Sequence, residues 1–386
     1  MTGGGSGGHI TPILAVAKEL KRQHSDVHVT YIGQQGDGFG SIVAEHDTID
    51  SVETVQAGKL RRYHGQGITQ LLDIRTVILN LRDGCRTVIG IVQAWRILGK
   101  IKPDVVFCKG GFVGVPVGLA AAARRIPYVT HDSDAIPGLA NRLIAPWAAA
   151  HAVALDAGLY PYPVDKTSSV GVPVSDAYQP VSPKEQAAYR AQVGLEKYDQ
   201  ILLITGGGLG ARRVNDAMLK TAPKLLEAFP KLCIVHTAGQ KNEVSVSASY
   251  TKLLDSDSRQ RVIVRDFLTN LYAYTGAADV VIARGGATNL AELSLQRKPC
   301  IIVPNPLLTG GHQLKNAQAY TQKDAIIVIK ETELQAADII YSQVVTLLQT
   351  PRRRQELGRN LAQFARPHAT TDLAALLWKV GIKHGT

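Results

Sequence analysis

Two doubly wound α/β domains, each built on a parallel sheet and facing a central cleft, are predicted by three observations. Short β-rich runs alternate with helical periods along the chain, the pattern restarts after residue 170, and each half opens on a glycine turn. A chain of 386 residues suits two domains of ordinary size, each able to bury its own core.

Taken in order, the first half supplies strands at 27–33, 52–56, 104–108, 127–131 and 151–155, with helices in the gaps. The second supplies strands at 201–205, 232–237, 262–267, 279–284, 300–304 and 325–329. Between them, 164–186 mixes Pro173, Pro180 and Pro183 with small polar residues and shows no clear period, so it reads as a linker and hinge. The expected division is an N-terminal domain over 1–171 and a C-terminal domain over 172–368. An amphipathic end beyond the break at Arg366-Pro367 reads as a helix over 369–386 that packs back onto the first domain. The N-terminus departs from the pattern, because the chain opens on its glycine turn with no strand before it. Either the first sheet lacks a strand or one lies upstream, and the second is favoured because that strand is usually central and apolar.

Composition narrows the class. Apolar residues make up 45% and charged residues 19%, as in globular proteins rather than disordered ones. Cys85, Cys108, Cys233 and Cys300 are scattered without a CxxC pair, which argues against zinc and suits a reducing cytoplasm. MTGGGSGGHITP has neither the basic start nor the apolar core of a secretory signal. No run reaches the roughly 18 apolar residues of a spanning helix, so membrane contact is expected to be peripheral. The net charge of +11 is concentrated between Lys59 and Lys102, where nine basic residues face only Asp73 and Asp83. No helix-turn-helix, zinc finger or RNA-binding aromatic motif accompanies them, so nucleic acid is not the expected partner. Leu71, Leu72, Ile74, Val77, Ile78 and Leu81 lie beside Arg75, Arg82 and Arg86, as in an interfacial helix. The alternative is a crossover helix whose apolar face is core and whose arginines are solvated.

The glycine turns carry the chemistry. Gly3, Gly5 and Gly8 fit GxGxxG, and Gly206, Gly208 and Ala211 fit GxGxxA; such turns let backbone N–H groups meet phosphate at a helix N-terminus. The strand ends at Tyr31–Gln34 and His236–Ala238 lack the acid that a nicotinamide ribose needs, which counts against a dehydrogenase. His9 follows the first turn and is either a general base for a sugar hydroxyl or a helix-capping residue. In ARGGATNLAEL, Gly285 and Gly286 free a second turn for phosphate, while Glu292 either accepts two ribose hydroxyls or is a plain helix glutamate. GGHQLKNA offers His312, Gln313 and Asn316, whose side chains suit sugar hydroxyls. Asp132-Ser133-Asp134 matches DxD, but two carboxylates on a short loop equally cap the next helix, and no metal is expected.

Taken together and in this order, the motifs resemble the MurG family, which adds N-acetylglucosamine to an undecaprenyl-linked muramyl-pentapeptide in peptidoglycan synthesis. The carrying segments are GGGSGGHITPILAVAKEL, KGGFVGVPVGLAA, HDSDAIPGLANR, GVPV, ITGGGLGARRVN, the run from Arg265 to Leu293, and GGHQLKNA, spanning residues 3 to 325. The resemblance implies the GT-B fold and an inverting displacement without a cofactor or covalent intermediate. It also implies UDP-N-acetylglucosamine as donor, a lipid-linked acceptor and a peripheral place on the cytoplasmic face of the cell membrane. Position by position, it puts Ser6, Gly7 and Gly8 at the sugar nucleotide and makes His9 the base. Asp134 takes the place of a sugar-contacting Asn, Asn141 lies near the acceptor, and Gly208 stands where a Ser meets phosphate. Leu268 meets uracil through its backbone. Ala287, Thr288, Asn289, Leu290, Ala291 and Glu292 wrap phosphate and ribose, and Gln313 reaches the N-acetylglucosamine. The sequence departs from the family pattern at 131–134 (HDSD for HEQN), at Ser175 (for Arg), at Gly208 (for Ser) and at Phe112 (for Tyr). Arg212, Arg213 or Arg284 is then left to meet the leaving phosphate. Another lipid acceptor such as diacylglycerol, a sugar-nucleotide epimerase, and an inert membrane scaffold are the competing readings.

Overall fold

The computed structural model describes residues 1–4, 7–36, 39–59, 74–207, 210–308, 311–335 and 338–385. They form two compact units. Unit 1 comprises Met1–Ser175, Leu307–His312 and Arg366–Thr386, and unit 2 comprises Asp176–Pro306 and Gln313–Ala365.

Unit 1 runs α1 (Gly7–Gln23), β1 (Thr30–Gln34), α2 (Phe39–Ala44), β2 (Ser51–Val55), α3 (Ile74–Ile101), β3 (Val106–Cys108), α4 (Gly114–Ala123), β4 (Tyr128–Asp132), α5 (Leu139–Ile144), β5 (Ala150–Val153) and β6 (Thr167–Ser169). Every strand pairing is parallel, β1 with β2 and then β3-β4-β5-β6. Thr2 joins the two sets, bridging in parallel to Ile32 of β1 and Cys108 of β3. Its N–H donates to the Phe107 carbonyl at 2.8 Å, and its own carbonyl accepts from Lys109 N–H at 2.9 Å. The sequence expectation of no pairing ahead of the first glycine turn is corrected to this extent: one residue is paired on both sides. Apolar side chains such as Ile13, Val16, Tyr31 and Phe107 fill one face of the sheet, and Leu98, Val117 and Tyr128 the other.

The long helix α3 lies close against this unit. A Cβ on Gly90 would stand 1.8 Å from the Gln56 carbonyl oxygen, so only glycine lets the helix backbone approach the end of β2. Its inward positions Asp83, Ala94 and Leu98 are buried.

Unit 2 runs α6 (Pro183–Gln192), β7 (Gln200–Thr205), α7 (Arg212–Ala228), β8 (Leu232–Thr237), α8 (Glu243–Leu253), α9 (Ser256–Gln260), β9 (Val262–Arg265), α10 (Leu271–Ala277), β10 (Val280–Ala283), α11 (Ala287–Gln296), β11 (Cys300–Ile302), α12 (His312–Thr321), β12 (Ile327–Val328), α13 (Ile339–Gln349) and α14 (Pro351–Ala362). Its strands are parallel in the order β9-β8-β7-β10-β11-β12, so the winding reverses between β7 and β10. In such sheets ligands bind beyond the carboxyl ends of the strands at that reversal.

The final helix, α15 (Ala369–Gly385), belongs to unit 1. It buries Leu373, Ala374 and Leu377 in that unit's core, and the Trp378 ring stacks at 3.4 Å on His24, the residue just past α1.

Segment 164–186 reads from sequence as a linker and hinge without a clear period. It contains β6 and the first turn of α6. β6 escapes a sequence reading because it is three polar residues, TSS, at the sheet edge beside β5. α6 opens with a capping box: the Ser182 side chain meets Glu185 N–H, the Glu185 side chain meets Ser182 N–H, and Pro183 begins the helix.

Candidate active site

In unit 2 the chain leaves β7 through a glycine turn and leaves the adjacent β10 through another. Gly207 and Gly210 have φ of +77° and +73°. A Cβ on Gly210 would also stand 2.1 Å from the Ala238 carbonyl oxygen, so the turn closes only on glycine. Gly208 lies outside the described residues. Helices α7 and α11 then begin at Ala211 and Gly286, neither of which caps its helix with a side chain. Two helix N-termini with uncapped N–H groups thus meet at the sheet's reversal, an arrangement that favours a bound anion.

Cations stand beside these turns. Arg284, the last residue before the α11 turn, places Nη1 2.9 Å from Glu331 Oε1, and Arg213 in the first turn of α7 places Nη1 3.0 Å from Glu331 Oε2. Glu331 is buried, Arg284 nearly so, and Arg213 more than half exposed. Two guanidinium groups share one carboxylate, which leaves positive charge beside both turns. Arg212, also nominated by sequence, is 89% exposed and only 3.9 Å from Asp216, so it is a solvated surface residue.

Helix α11 carries the remaining polar groups. Asn289 Nδ2 donates to Glu292 Oε2 at 3.4 Å, and the Tyr178 hydroxyl also acts on the Glu292 carboxyl. Burial pushes the Glu292 carboxyl up to about 7, against the pull of these two donors. Ala287, Thr288 and Ala291 are half-buried, whereas Leu290 is fully buried and has only its backbone to offer a ligand. Leu268, between β9 and α10, is likewise buried. Gln313 Oε1 accepts from Asn305 N–H at 2.8 Å, which leaves its amide NH2 as the remaining hydrogen-bonding end. Asn316 donates to the Gly285 carbonyl at 3.0 Å, tying the start of α12 to the α11 turn.

In unit 1 the turn after Thr2 leads into α1, whose first residues are Gly7, Gly8 and His9. Gly5 and Ser6 lie outside the described residues, as does the His9 side chain. The turn after β3 is Lys109-Gly110-Gly111, with φ of +99° and +77° at the glycines. A Cβ on Gly111 would stand 2.5 Å from the Gly4 carbonyl oxygen, so the two glycine turns meet backbone to backbone. Helix α4 follows without a side-chain cap at Val113.

Beside this turn lies a buried polar cluster. Lys109 is 3% exposed and its Nζ donates to Ser133 Oγ at 2.8 Å. Burial lowers its ammonium to about 8, while Asp132 and Asp134 act to keep it charged. His131 Nε2 donates to the Gly171 carbonyl at 2.8 Å, and burial drives its pKa well down, so the ring is neutral with a bare Nδ1. Asp132 accepts from the Tyr162 hydroxyl (2.7 Å), Asn141 Nδ2 (2.9 Å) and Gly138 N–H (3.0 Å). Gly138 precedes α5, which no side chain caps, so the DxD loop is tied to the start of that helix only through the Gly138 N–H. No metal-sized cluster of ligands occurs among the described residues. Asn141 also donates to the His131 carbonyl at 2.9 Å, and its Oδ1 is buried without a partner, an acceptor awaiting a donor. Asp134 is half-buried and its carbonyl accepts from the Tyr160 hydroxyl; Ser175 is exposed at the end of unit 1.

Lys109, Tyr178 and Glu331 were not singled out by sequence. Lys109 had a signal, standing directly before a glycine pair that ends a strand. The other two owe their places to partners far along the chain, Tyr178 to Glu292 and Glu331 to Arg213 and Arg284. A cavity of about 590 Å³, lined in part by Thr30, Val106 and Trp378, opens at the N-terminal ends of β1 and β3, away from the glycine turns.

Comparison with known proteins places both units. Residues 1–153 match the glycosyltransferase family 28 N-terminal domain, and 201–373 match the C-terminal domain of the same family. A UDP-N-acetylglucosamine–N-acetylmuramyl-(pentapeptide) pyrophosphoryl-undecaprenol N-acetylglucosamine transferase from Halothermothrix orenii is 32% identical over 381 residues, 97% of each chain. The enzyme of the same name from Geotalea uraniireducens is 31% identical over 98% of this chain and 95% of its own. Among solved structures, Acinetobacter baumannii MurG superposes with a TM-score of 0.70 at 22% identity, covering 98% of both chains. A putative UDP-N-acetylglucosamine 2-epimerase from Listeria monocytogenes superposes with a TM-score of 0.66 at 12% identity, covering 97% of this chain and 94% of its own.

Proposed function

The chain belongs to glycosyltransferase family 28, among its UDP-N-acetylglucosamine–N-acetylmuramyl-(pentapeptide) pyrophosphoryl-undecaprenol N-acetylglucosamine transferases, and on that premise we propose how its residues divide the work. The reaction moves N-acetylglucosamine from UDP to the lipid-linked muramyl-pentapeptide. The acceptor hydroxyl forms a bond to the anomeric carbon as the bond to UDP breaks, with inversion; the hydroxyl proton passes to a base and the electron pair leaves with UDP.

The observation that carries the assignment of donor residues is the pair of uncapped helix N-termini at β7 and β10 beside Arg213 and Arg284. They suit the charge that develops on the departing diphosphate. Glu292 and Asn289 serve the ribose, Leu268 the uracil through its backbone, and Gln313 the sugar through its amide NH2. In unit 1, His9 is the base, and Lys109, Asp134 and Asn141 line the acceptor side. Purified protein given radiolabelled UDP-N-acetylglucosamine and the undecaprenyl-linked acceptor in detergent is expected to yield labelled lipid. No transfer, or transfer only from UDP-galactose or only to diacylglycerol, overturns the assignment.

The membrane face is read from α3. No described helix is long and apolar enough to cross a membrane. Yet Val77, Ile78, Leu81, Val88, Ile89, Val92 and Trp95 are all exposed. Positions 78, 81, 85, 88, 92 and 95 follow the three-and-four spacing of a single helix face, away from buried Asp83, Ala94 and Leu98. Arg82, Arg86, Arg96 and Lys100 flank it, also exposed. The outward apolar stripe is therefore separate from the core stripe, which favours the interfacial reading over the plain crossover helix. Each basic residue near an anionic surface contributes about 1 kcal/mol. Changing Arg82 and Arg86 to Glu is expected to weaken flotation with phosphatidylglycerol vesicles at least tenfold, and Leu81→Ser with Val88→Ser to weaken it comparably. Undiminished flotation of both variants discards this face.

A further inference from the structure

We propose that the cavity of about 590 Å³ at the N-terminal ends of β1 and β3 is the seat of one further β-strand, formed by residues that run directly into Met1 in a longer form of this chain, and that this strand anchors the first glycine turn. Among the described strands, β1 pairs only with β2, and β3 only with β4. Thr2 sits between β1 and β3, bridging in parallel to Ile32 on one side and Cys108 on the other. Continued backwards, that register sets the four positions before Met1 level with 27–30 on one side and 103–106 on the other. Those two segments line the cavity. Four extended residues span about 13 Å.

The backbone edges suit such a strand. In a parallel ladder alternate residues bond to the same neighbour. Ile32 N–H donates to the Met1 carbonyl at 2.9 Å, and the Thr30 carbonyl accepts from the Met1 nitrogen at 2.7 Å, so Thr30 and Ile32 face the cavity side of β1. Val29 faces the other way, its carbonyl accepting from Asp50 N–H at 2.9 Å. On β3 the Phe107 carbonyl accepts from Thr2 N–H at 2.8 Å, whereas Val106 N–H donates to the Pro127 carbonyl at 2.9 Å. The next rungs are therefore the Thr30 N–H and His28 carbonyl on one edge, and the Phe107 N–H and Val105 carbonyl on the other. The Met1 nitrogen already holds a ladder position. As an ammonium there it is lowered by burial to about 6, a cost that an amide N–H in the same place does not carry. Helices cover the cavity on both faces, with Leu20 of α1 and Leu377 of α15 on one and Leu98 of α3 on the other. A strand buried on both faces is a continuous apolar run, so the occupant is uninterrupted Val, Ile or Leu rather than an alternating segment. From Thr2 the chain enters the first glycine turn, which meets Gly111 of the second at the Gly4 carbonyl. A strand bonded on both sides fixes that entry.

The test is hydrogen–deuterium exchange and thermal unfolding of three proteins: the unextended chain, the chain with Val-Ile-Val-Ile added directly ahead of Met1, and a control with Gly-Ser-Gly-Ser in the same place. In the unextended chain the Phe107 amide is expected to exchange about a hundredfold or more faster than that of Val106, which is bonded within the sheet. The apolar extension is expected to slow the Thr30 and Phe107 amides about tenfold or more and to raise the melting temperature by about 5 °C or more. Gly-Ser-Gly-Ser is expected to do neither. Equal protection of Phe107 and Val106 in the unextended chain, which needs no variant to measure, overturns the proposal. Equal effects of the two extensions overturn it as well. So does a free acetylated Val-Ile-Val-Ile peptide that gives the gain where the fused segment fails, since the occupant is then a separate chain.

Discussion

His9→Ala is expected to lower kcat by about 10²- to 10⁴-fold with little change in the KM for UDP-N-acetylglucosamine, the signature of a lost general base. The expectation rests on the family resemblance, and three other titratable groups near the unit 1 turns are already engaged. His131 is buried and neutral, and its Nε2 is engaged with the Gly171 carbonyl. Asp132 accepts from three donors, and burial raises its pKa. Lys109 is bonded to Ser133, and at about 8 it is mostly charged at neutral pH, so it has no lone pair to offer a proton. His9 lies in the first turn of α1, and histidine is the side chain suited to taking a proton from a sugar hydroxyl. The acid limb of the wild-type profile should disappear in the variant. Retention of activity within threefold would assign the proton to another group.

Arg284→Ala should cost about 10²- to 10³-fold in kcat, the scale expected when a group that stabilises departing charge is removed. Arg284 is the less exposed of the two arginines on Glu331, and it precedes the α11 turn directly. Its loss leaves the buried carboxylate with only the more exposed Arg213, so a drop in stability accompanies the kinetic effect. The two consequences separate experimentally. Arg284→Lys restores a charge but not the planar fork, and is expected to recover stability more fully than rate. Arg213→Ala, more than half exposed, should cost about tenfold or less. Unchanged kcat in Arg284→Ala, measured at saturating donor on folded protein, would exclude Arg284 from the leaving-group site.

The parallel, twice-repeated architecture was legible because burial on both faces forces strands into continuous apolar runs. ILLIT and LCIVHT lie on β7 and β8 almost residue for residue. β6 was not legible, since an edge strand of TSS has no apolar signature. The start of α6 was legible in principle from Ser182, Pro183 and Glu185, but prolines nearby suggested a hinge. In the site, glycine turns announce themselves because few other residues reach positive φ, as at Gly110, Gly111, Gly207 and Gly210. Partnerships do not. Glu331 meets Arg213 across 118 positions of sequence and Arg284 across 47, and nothing local in the chain encodes either.

The outward stripe of α3 bears on how the protein behaves away from lipid. Copies in plain buffer carry contiguous apolar surface that favours self-association. Their shared charge of +11 opposes this, by a repulsion that reaches about 10 Å at 0.1 M salt and only about 3 Å at 1 M. On the proposed membrane reading, colloidal stability and lipid affinity are opposite uses of the same helix. If α3 is the proposed membrane face, salt that weakens binding to anionic vesicles is also expected to bring those stripes together, so detergent rather than ionic strength is the means of dispersing the protein.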